Sequence, residues 1–474
     1  MATENSLSRR VLKAMGIFGG TQIITILCSV IRSKLVALWI GPAGFGLLAI
    51  FNSVMELLGQ ITSLGIRNAA VRDVAAHSSD PERVARVAKI VARWGVILGV
   101  IGLLLTTILS PFLSIISFGN TAYTVSFIVL GLGVAMNALT GSQLAILQGL
   151  SRLKPLSRAG IGGAVAGLAI VIPMYYFWRL DSILPSIIVY SAVGLIAAYI
   201  FRERFTGHQD KISRKETMQV GRKFLTLGLF ITISDIFNQL AVYVFVSWLN
   251  QNAGEDIVGF YQAGNTLFNR YVGLVFTAIA MEYYPRLTAS IESPRRVSTF
   301  VSHEIKLALW ILAPIIALFI GFAPLIVQIL YASEFEVIVP FVTIAIIGTT
   351  LRAISWCMAI VILARGDGRL FMLTEGLSAI VAIVLNILGY KMSGLVGLGA
   401  SYVVWYLTYT LIVYIVYRRR YQLTISRGIG LLSLSIIATV TLTAAATLLT
   451  GNPAVAVIIA IMTAGAAFYI LRRA

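Results

Sequence analysis

The sequence predicts an all-α polytopic membrane protein with about fourteen transmembrane helices. Of its 474 residues, 58% are hydrophobic and only 12% are charged, about half the charged share of ~25% that is typical of soluble domains. The hydrophobic residues form long blocks, and a helix needs ~20 of them to cross a hydrocarbon core. Because lipid offers no partners to unpaired backbone groups, each block is predicted to be a spanning helix.

The predicted spans form two groups of six followed by a pair. We assign residues 1–203 to an N-terminal half, 204–223 to a cytoplasmic linker, 217–417 to a C-terminal half, and 425–472 to the additional pair. The spans are predicted at 11–40, 43–66, 84–113, 122–149, 157–179, 183–203, 217–248, 256–284, 300–330, 334–364, 369–391, 394–417, 425–450 and 452–472.

The positive charges are distributed unevenly between the loops. With the N terminus in the cytoplasm, 31 of the 37 lysines and arginines fall on the cytoplasmic side, and only Arg179 and Lys391 fall on the other. This bias predicts an even number of spans with both termini inside. It also accounts for the net charge of +18 without a nucleic-acid partner, because no loop is long enough to form a basic domain.

The two halves share short markers at nearly constant spacing. Asp80-Pro81 opens the third span, and Ser293-Pro294 opens the ninth 213 residues later. Each pair supplies a capping residue followed by proline at the first helical position. Because six is even, we expect the two six-helix halves to share their orientation, related by a pseudo-twofold axis along the membrane normal.

Seven ionisable residues lie inside the predicted spans. Each costs ~2.5–3.5 kcal/mol at a helix centre, so most are expected to face a hydrated cavity or one another. The first two helices of each half carry polar residues at helical spacing, which predicts a hydrated cavity between the halves. In the eighth span, Gln262, Asn265, Asn269 and Arg270 are expected to share one arc at ~3.6 residues per turn. The seven are Arg32, Lys34, Glu56, Asp235, Arg270, Arg352 and Glu375.

Several of these charges have a simpler interpretation. Lys34 lies near a span end, where its side chain can reach the interface. Glu56 and Arg270 can form a structural ion pair, and Glu375 can be interfacial. An isolated Asn or Gln in a span often serves helix packing.

The predicted cavity suits an anionic, hydroxyl-rich ligand. Arginine presents a fork that matches phosphate oxygens, and amide side chains suit sugar hydroxyls. We expect Arg32 and Arg270, with Lys34 or Arg352, to hold the anionic group. The amides predicted to line the ligand path are Asn52, Gln60, Asn238, Gln262, Asn265 and Asn269. No catalytic residues, metal site or cofactor are predicted, and Cys28 and Cys357 are interpreted as buried side chains.

The first hairpin, Lys34 to Gly46, resembles that of Wzx-type oligosaccharide flippases of the multidrug/oligosaccharidyl-lipid/polysaccharide exporter (MOP) superfamily. Segments Asn68–Val74, Gln148–Leu153 and Tyr284–Leu287 are similar to loops of that family. The resemblance implies a multi-pass protein of the bacterial inner membrane. It also implies transport of polyprenyl-pyrophosphate-linked oligosaccharide to the periplasmic leaflet by alternating access, for O-antigen-type or enterobacterial-common-antigen-type polysaccharide. The pair at 425–472 departs from the many members that have twelve spans.

The resemblance also implies partners and coupling. For such a substrate we expect Arg32 and Arg270, with Lys34 or Arg352, to hold the pyrophosphate. We expect Glu56, Asp235 or Glu375 to carry a coupling H⁺ or Na⁺, because a poorly solvated carboxyl can load and release near neutral pH. Membrane lipids and a glycan polymerase or ligase are the expected partners. The alternatives are a cation or drug antiporter of the same superfamily, a membrane glycan ligase or polymerase, and an uncoupled scramblase.

Overall fold

The structure is a computed structural model that describes residues 2–63, 65–77, 80–203, 213, 217–218 and 229–473. Over these residues it contains helices and no strands, which confirms the predicted fold class. The chain divides into two compact units, Met1–Asp256 and Ile257–Ala474. The side chains that lie outside the description are those of residues 2–18, 66, 68, 81, 229, 270, 271, 274, 277, 278, 281 and 470–473.

The first unit is a bundle of long helices. Helix α4 packs along α5, α6 packs against α1 and α7, and α8 packs against α2 and α4. The sequence assigns α8 to the second half, but its described contacts lie in the first unit. The bounds are α1 Ala2–Trp39, α2 Gly41–Ser63, α3 Ile66–Ala76, α4 Pro81–Phe118, α5 Thr124–Gly149, α6 Leu153–Trp178, α7 Ile183–Ile200 and α8 Leu229–Ala253.

The second unit contains the remaining helices. A π-helix at Thr266–Tyr271 joins α9 to α10, and 3₁₀ turns at Arg179–Ser182 and Ser333–Ile338 precede α7 and α12. Helix α11 packs against both helices of the C-terminal pair, α15 and α16. The bounds are α9 Glu255–Asn265, α10 Val272–Ala289, α11 Pro294–Leu330, α12 Val339–Ala345, α13 Gly348–Ala364, α14 Gly368–Arg419, α15 Arg427–Thr450 and α16 Ala454–Arg473.

Helix α14 is a hairpin of two spans rather than one long rod. At 52 residues and ~1.5 Å per residue it would be more than twice as long as a bilayer core is thick. The backbone leaves helical geometry at Ser393 and Gly394, where the predicted span 369–391 gives way to the predicted span 394–417. The two arms then run antiparallel. A hydrogen bond between them shows this, since the Ser401 hydroxyl donates to the Asn386 side-chain oxygen at 2.6 Å.

Close backbone approach holds both hairpins together. In α14, a Cβ on Gly389 or Gly397 would overlap the backbone of the other arm. In the α6–α7 hairpin, a Cβ on Gly163 would lie 3.3 Å from the Cα of Gly194. Small residues permit such contact between membrane helices, and the packing of α14 requires glycine at positions 389 and 397.

Nine described helical segments are long and apolar enough to span a membrane, or ten if a bent pair at Ser333–Ala364 counts as one span. This number counts α6–α7 and both arms of α14 as single segments. The finding supports a multi-pass membrane protein, and the count of fourteen stays a prediction.

The helix-start markers of the two halves have the predicted local structure. Asp80 accepts hydrogen bonds from the Glu82 and Arg83 amides at 3.2 Å, ahead of Pro81. Ser293 accepts from the Arg296 amide at 3.5 Å, ahead of Pro294. The division into six-helix halves and a linker at 204–223 stays a prediction, and most of that linker lies outside the described residues.

Candidate functional site

The first unit contains a polar cavity of about 610 Å³. Glu56 and Gln60 reach it from α2, and Asp235 and Gln239 reach it from α8. Each pair is separated by four residues, which places both members on one helix face. The structure therefore brings together two carboxylates and two amides on facing helices, including three of the residues predicted for the site.

The acidic residues in the described lining of this cavity outnumber the basic residues by one. Glu56 and Asp235 supply two carboxylates, and Arg67 of α3 is the one basic residue in the described lining. Asn137 and Ser142 of α5 extend the polar surface. The cavity offers hydrogen-bonding groups of both kinds, which suits a hydrated polar ligand or a cation.

Helices α4 and α8 are joined at the end away from the cavity. The Asn250 amide donates to the Ser117 carbonyl at 2.8 Å, and the hydroxyls of Ser117 and Tyr243 lie 3.2 Å apart. Gln251 donates to the Ile115 carbonyl at 2.9 Å. We call this set the outer seam. In the predicted topology the cavity lies toward the cytoplasm, and the seam lies at the opposite face.

Arg32 is separate from the cavity. Its Nε donates to the Tyr175 hydroxyl at 2.7 Å, and its guanidinium carbon lies 4.8 Å from the centre of the Tyr190 ring. Tyr175 is fully buried, and the Nη2 atom of Arg32 is buried without a hydrogen-bond partner. Arg32 therefore occupies an aromatic setting formed by α6 and α7, with one donor unused.

A second polar network lies in the second unit and centres on Asn269. The Asn269 side-chain oxygen accepts from Arg352 Nη1 at 2.7 Å and from the Tyr402 hydroxyl at 2.8 Å. Its amide nitrogen donates to the side-chain oxygen of Asn265. The structure thus unites Asn265, Asn269 and Arg352 of the predicted site, and adds Tyr402.

The partners that surround Arg352 are neutral. The guanidinium carbon lies 5.1 Å from the centre of the Phe276 ring and 5.9 Å from that of Tyr406. A cation over an aromatic face gains electrostatic stabilisation, but these rings bring no negative charge. The positive charge of Arg352 is therefore not neutralised by these described partners, and an anion could bind to it.

Glu375 lies on the first arm of α14 and is tied to the second. The Tyr409 hydroxyl donates to its Oε1 atom, and the indole of Trp405 donates to the Ser378 hydroxyl at 2.9 Å one turn away. Glu375 therefore sits inside the hairpin rather than at an exposed end.

The π-helix changes the geometry predicted for the eighth span. At ~3.6 residues per turn, Gln262, Asn265, Asn269 and Arg270 would share one arc of the eighth span. Across Thr266–Tyr271 the i→i+5 pattern of a π-helix replaces that α-helical period, so the shared arc stays a prediction. Asn265 and Asn269 still meet, while the Arg270 side chain lies outside the described residues.

The other predicted residues are half-buried, and none of them is among the described cavity lining: Lys34, Asn52, Asn238 and Gln262.

Sequence reasoning missed the aromatic partners of both arginines. Tyr175 and Tyr190 come from α6 and α7, more than 140 residues from Arg32. Tyr402, Tyr406 and Tyr409 recur at i, i+4 and i+7 on α14. A stripe of phenol groups deep in a predicted span was a usable signal, because each buried hydroxyl needs a partner.

The chain matches known proteins in sequence along most of its length. The family model described as polysaccharide biosynthesis protein matches residues 11–291, more than half of the chain. A lipid III flippase of Escherichia coli K12 is 21% identical over 433 residues, covering 84% of this chain and 97% of the relative.

Solved structures with the same fold are transporters. The lipid II flippase MurJ in an inward closed conformation aligns with a TM-score of 0.73 at 12% identity, covering 96% of this chain and 98% of its own. An inward-facing multidrug resistance MATE family transporter of the MOP superfamily aligns with a TM-score of 0.69 at 16% identity. The alignment covers 84% of this chain and 94% of the transporter. At such identities the likeness establishes the fold alone. The family match places this chain in the polysaccharide biosynthesis protein family.

Proposed function

We propose that the protein is a flippase that moves polyprenyl-pyrophosphate-linked oligosaccharide repeat units from the cytoplasmic to the periplasmic leaflet of a bacterial inner membrane. The repeat units would serve an O-antigen-type surface polysaccharide. The observation that carries the proposal is the family match, joined by a lipid III flippase relative whose length is almost fully covered. These relatives and the structural neighbours are flippases and transporters, so the chain is a transporter and not an enzyme.

The first unit supports an alternating-access mechanism. The 610 Å³ cavity lies at one end of α2, α4, α5 and α8, and the outer seam joins α4 and α8 at the other. If the termini are cytoplasmic, as we propose, this is an arrangement in which substrate approaches from the cytoplasm. Release on the periplasmic side requires the seam to part.

The second unit supports an anion site. All the described contacts of Arg352 are with neutral groups, so a pyrophosphate would supply the negative charge that pairs with it. Asn265 and Asn269 stand beside it and suit sugar hydroxyls. Arg32, with its unused Nη2 donor, and Arg270 and Lys34 are proposed as further contacts, and Asn52, Gln60, Asn238 and Gln262 as glycan contacts.

The carboxylates are proposed to couple transport to H⁺ or Na⁺. Glu56 and Asp235 share the cavity of the first unit, and Glu375 lies inside the α14 hairpin. A carboxyl in such a setting can exchange a cation as its surroundings change. Addition of an ionophore distinguishes this from uncoupled scrambling, since coupled accumulation collapses and scrambling does not.

A cation or drug antiporter is the second candidate, because the described cavity lining is acidic by one charge. The experiment that separates the two is surface delivery of glycan by cells that depend on this protein. We expect Arg352→Gln to reduce delivery roughly tenfold, equivalent to ~1.4 kcal/mol, at equal membrane abundance. Arg369→Gln, at the exposed start of α14, is the matched control. Unchanged delivery by Arg352→Gln would remove the anion-site assignment.

A further inference from the structure

A second cavity, of about 510 Å³, lies in the second unit at the ends of α11 and α15. Six of its eight lining residues are Arg295, Ser298, Thr299, Ser302, Gln422 and Thr424. Four of these carry hydroxyls, one is an amide and one is a cation. None of the eight is acidic, so the described lining is a set of donors with a positive charge.

The loop that forms one wall is firmly built. Between α14 and α15, Tyr421 and Leu423 point into the protein and are 7% and 0% exposed, while Gln422 and Thr424 line the cavity. The Tyr421 hydroxyl donates to Asp367 Oδ2 at 2.7 Å, and the Leu423 backbone N–H donates to the Tyr417 carbonyl at 3.2 Å. The loop is therefore held from within, and its polar side chains are presented outward.

Gln422 has a backbone conformation that side chains rarely adopt. Its φ is +53°, in the left-handed region that favours glycine. Such residues persist where the surrounding structure fixes them, and they cluster at ligand sites. Gln422 lines the cavity beside Thr424, whose backbone N–H donates to the Ser298 hydroxyl at 3.2 Å.

Two long helices begin at this cavity. Pro294, the first residue of α11, lines it, as does Ser426, the N-cap of α15. The start of a helix carries a partial positive charge and free backbone N–H groups. The serine caps already accept one first-turn N–H group at each start, so what the two helices add to the effect of Arg295 is the partial positive charge of their first turns.

The surroundings indicate a lipid rather than a soluble anion. Six exposed arginines lie in the flanking segments, and basic clusters at a membrane surface attract anionic lipids. The cavity adjoins apolar surface, because Leu431 and Leu434 in the first turns of α15 are 69% and 66% exposed. The six arginines are Arg295, Arg296, Arg418, Arg419, Arg420 and Arg427.

We propose that this cavity binds the phosphate-bearing headgroup of an anionic phospholipid at the cytoplasmic surface, with the acyl chains along α15. Arg295 holds the phosphate, and the hydroxyls with Gln422 hold the glycerol of the headgroup. The site gives the C-terminal helix pair a role as an anchor to anionic lipid, and it is independent of the transported substrate.

Native mass spectrometry of the purified full chain tests this, with phosphatidylglycerol and phosphatidylcholine added in turn. We expect the first phosphatidylglycerol to bind more tightly than phosphatidylcholine, and Arg295→Gln to weaken it roughly tenfold or more, as for loss of a charge-assisted hydrogen bond. Gln422→Gly should weaken it less and keep the loop, because glycine accepts the positive φ. Arg296→Gln is the matched control, since Arg296 is exposed and adjacent but does not line the cavity.

Two outcomes would overturn the proposal. Equal losses for Arg295→Gln and Arg296→Gln would mean diffuse attraction rather than a site. Displacement of phosphatidylglycerol by millimolar inorganic phosphate, or binding of phosphate with no lipid preference, would identify a soluble anion as the ligand.

Discussion

The network around Asn269 makes a quantitative prediction about coupling between two side chains. One side-chain oxygen accepts from Arg352 at 2.7 Å and from Tyr402 at 2.8 Å. A hydrogen bond to a charged group contributes ~1.5–3 kcal/mol, and a neutral one ~0.5–1.5 kcal/mol. Asn269→Ala removes both and is expected to lower the free energy of unfolding by ~2–4 kcal/mol.

A double-mutant cycle isolates the charged bond. Unfolding by SDS in detergent micelles is measured for Asn269→Ala, Arg352→Met and the double variant. We expect a coupling free energy of ~1.5–3 kcal/mol, because the second substitution no longer breaks that bond. Tyr421→Phe, which loses the hydrogen bond to Asp367, is the control and should be additive with Asn269→Ala. Additivity of Asn269→Ala and Arg352→Met within ~0.5 kcal/mol would refute the network.

Three further predictions concern packing, the outer seam and pH. Gly397→Val should abolish folding, because the valine side chain would overlap the backbone of the opposite arm of α14. The yield of monodisperse protein measures this. Gly428→Val is the control and should be tolerated, because no atom lies within 4 Å of its added Cβ. Asn250→Ala should destabilise by ~1–2 kcal/mol and speed amide exchange at the end of α4, while Asn252→Ala, whose amide bonds only its own helix, should leave that exchange unchanged. Burial raises the pKa of the Glu255 carboxyl, so the folded protein binds this proton more tightly than the unfolded chain does. The stability of the wild-type protein relative to Glu255→Gln should therefore fall as the pH rises from about 4. A stability difference that does not change with pH would contradict this.

Sequence alone predicted the membrane class and the local helix signals, because both depend on short-range chemistry. Hydropathy is read residue by residue, and the Asp80-Pro81 and Ser293-Pro294 helix starts need only neighbouring atoms. The break between the two arms of α14 followed the predicted gap between spans. Each of these features is determined by residues that lie close to it in the sequence.

The grouping of the site residues depended on packing that the sequence does not encode locally. Glu56, Gln60 and Asp235 do share a cavity, and the four-residue spacing that puts Glu56 and Gln60 on one helix face is legible in the sequence. Arg32 was assigned to the same site, but it pairs with Tyr175 across 143 positions, a partner that no spacing within α1 could reveal. The π-helix that positions Asn269 is likewise invisible to a pattern argument based on an α-helical period.

The most direct test of the central claim uses the purified protein in liposomes that carry a fluorescent polyprenyl-pyrophosphate oligosaccharide. A membrane-impermeant quencher reports how fast inner-leaflet lipid reaches the outer leaflet. The account predicts movement faster than in empty liposomes, and roughly tenfold slower with Arg352→Gln but not with Arg369→Gln. Wild-type protein that moves this lipid no faster than empty liposomes, while exchanging a cationic dye for H⁺ or Na⁺, would contradict it.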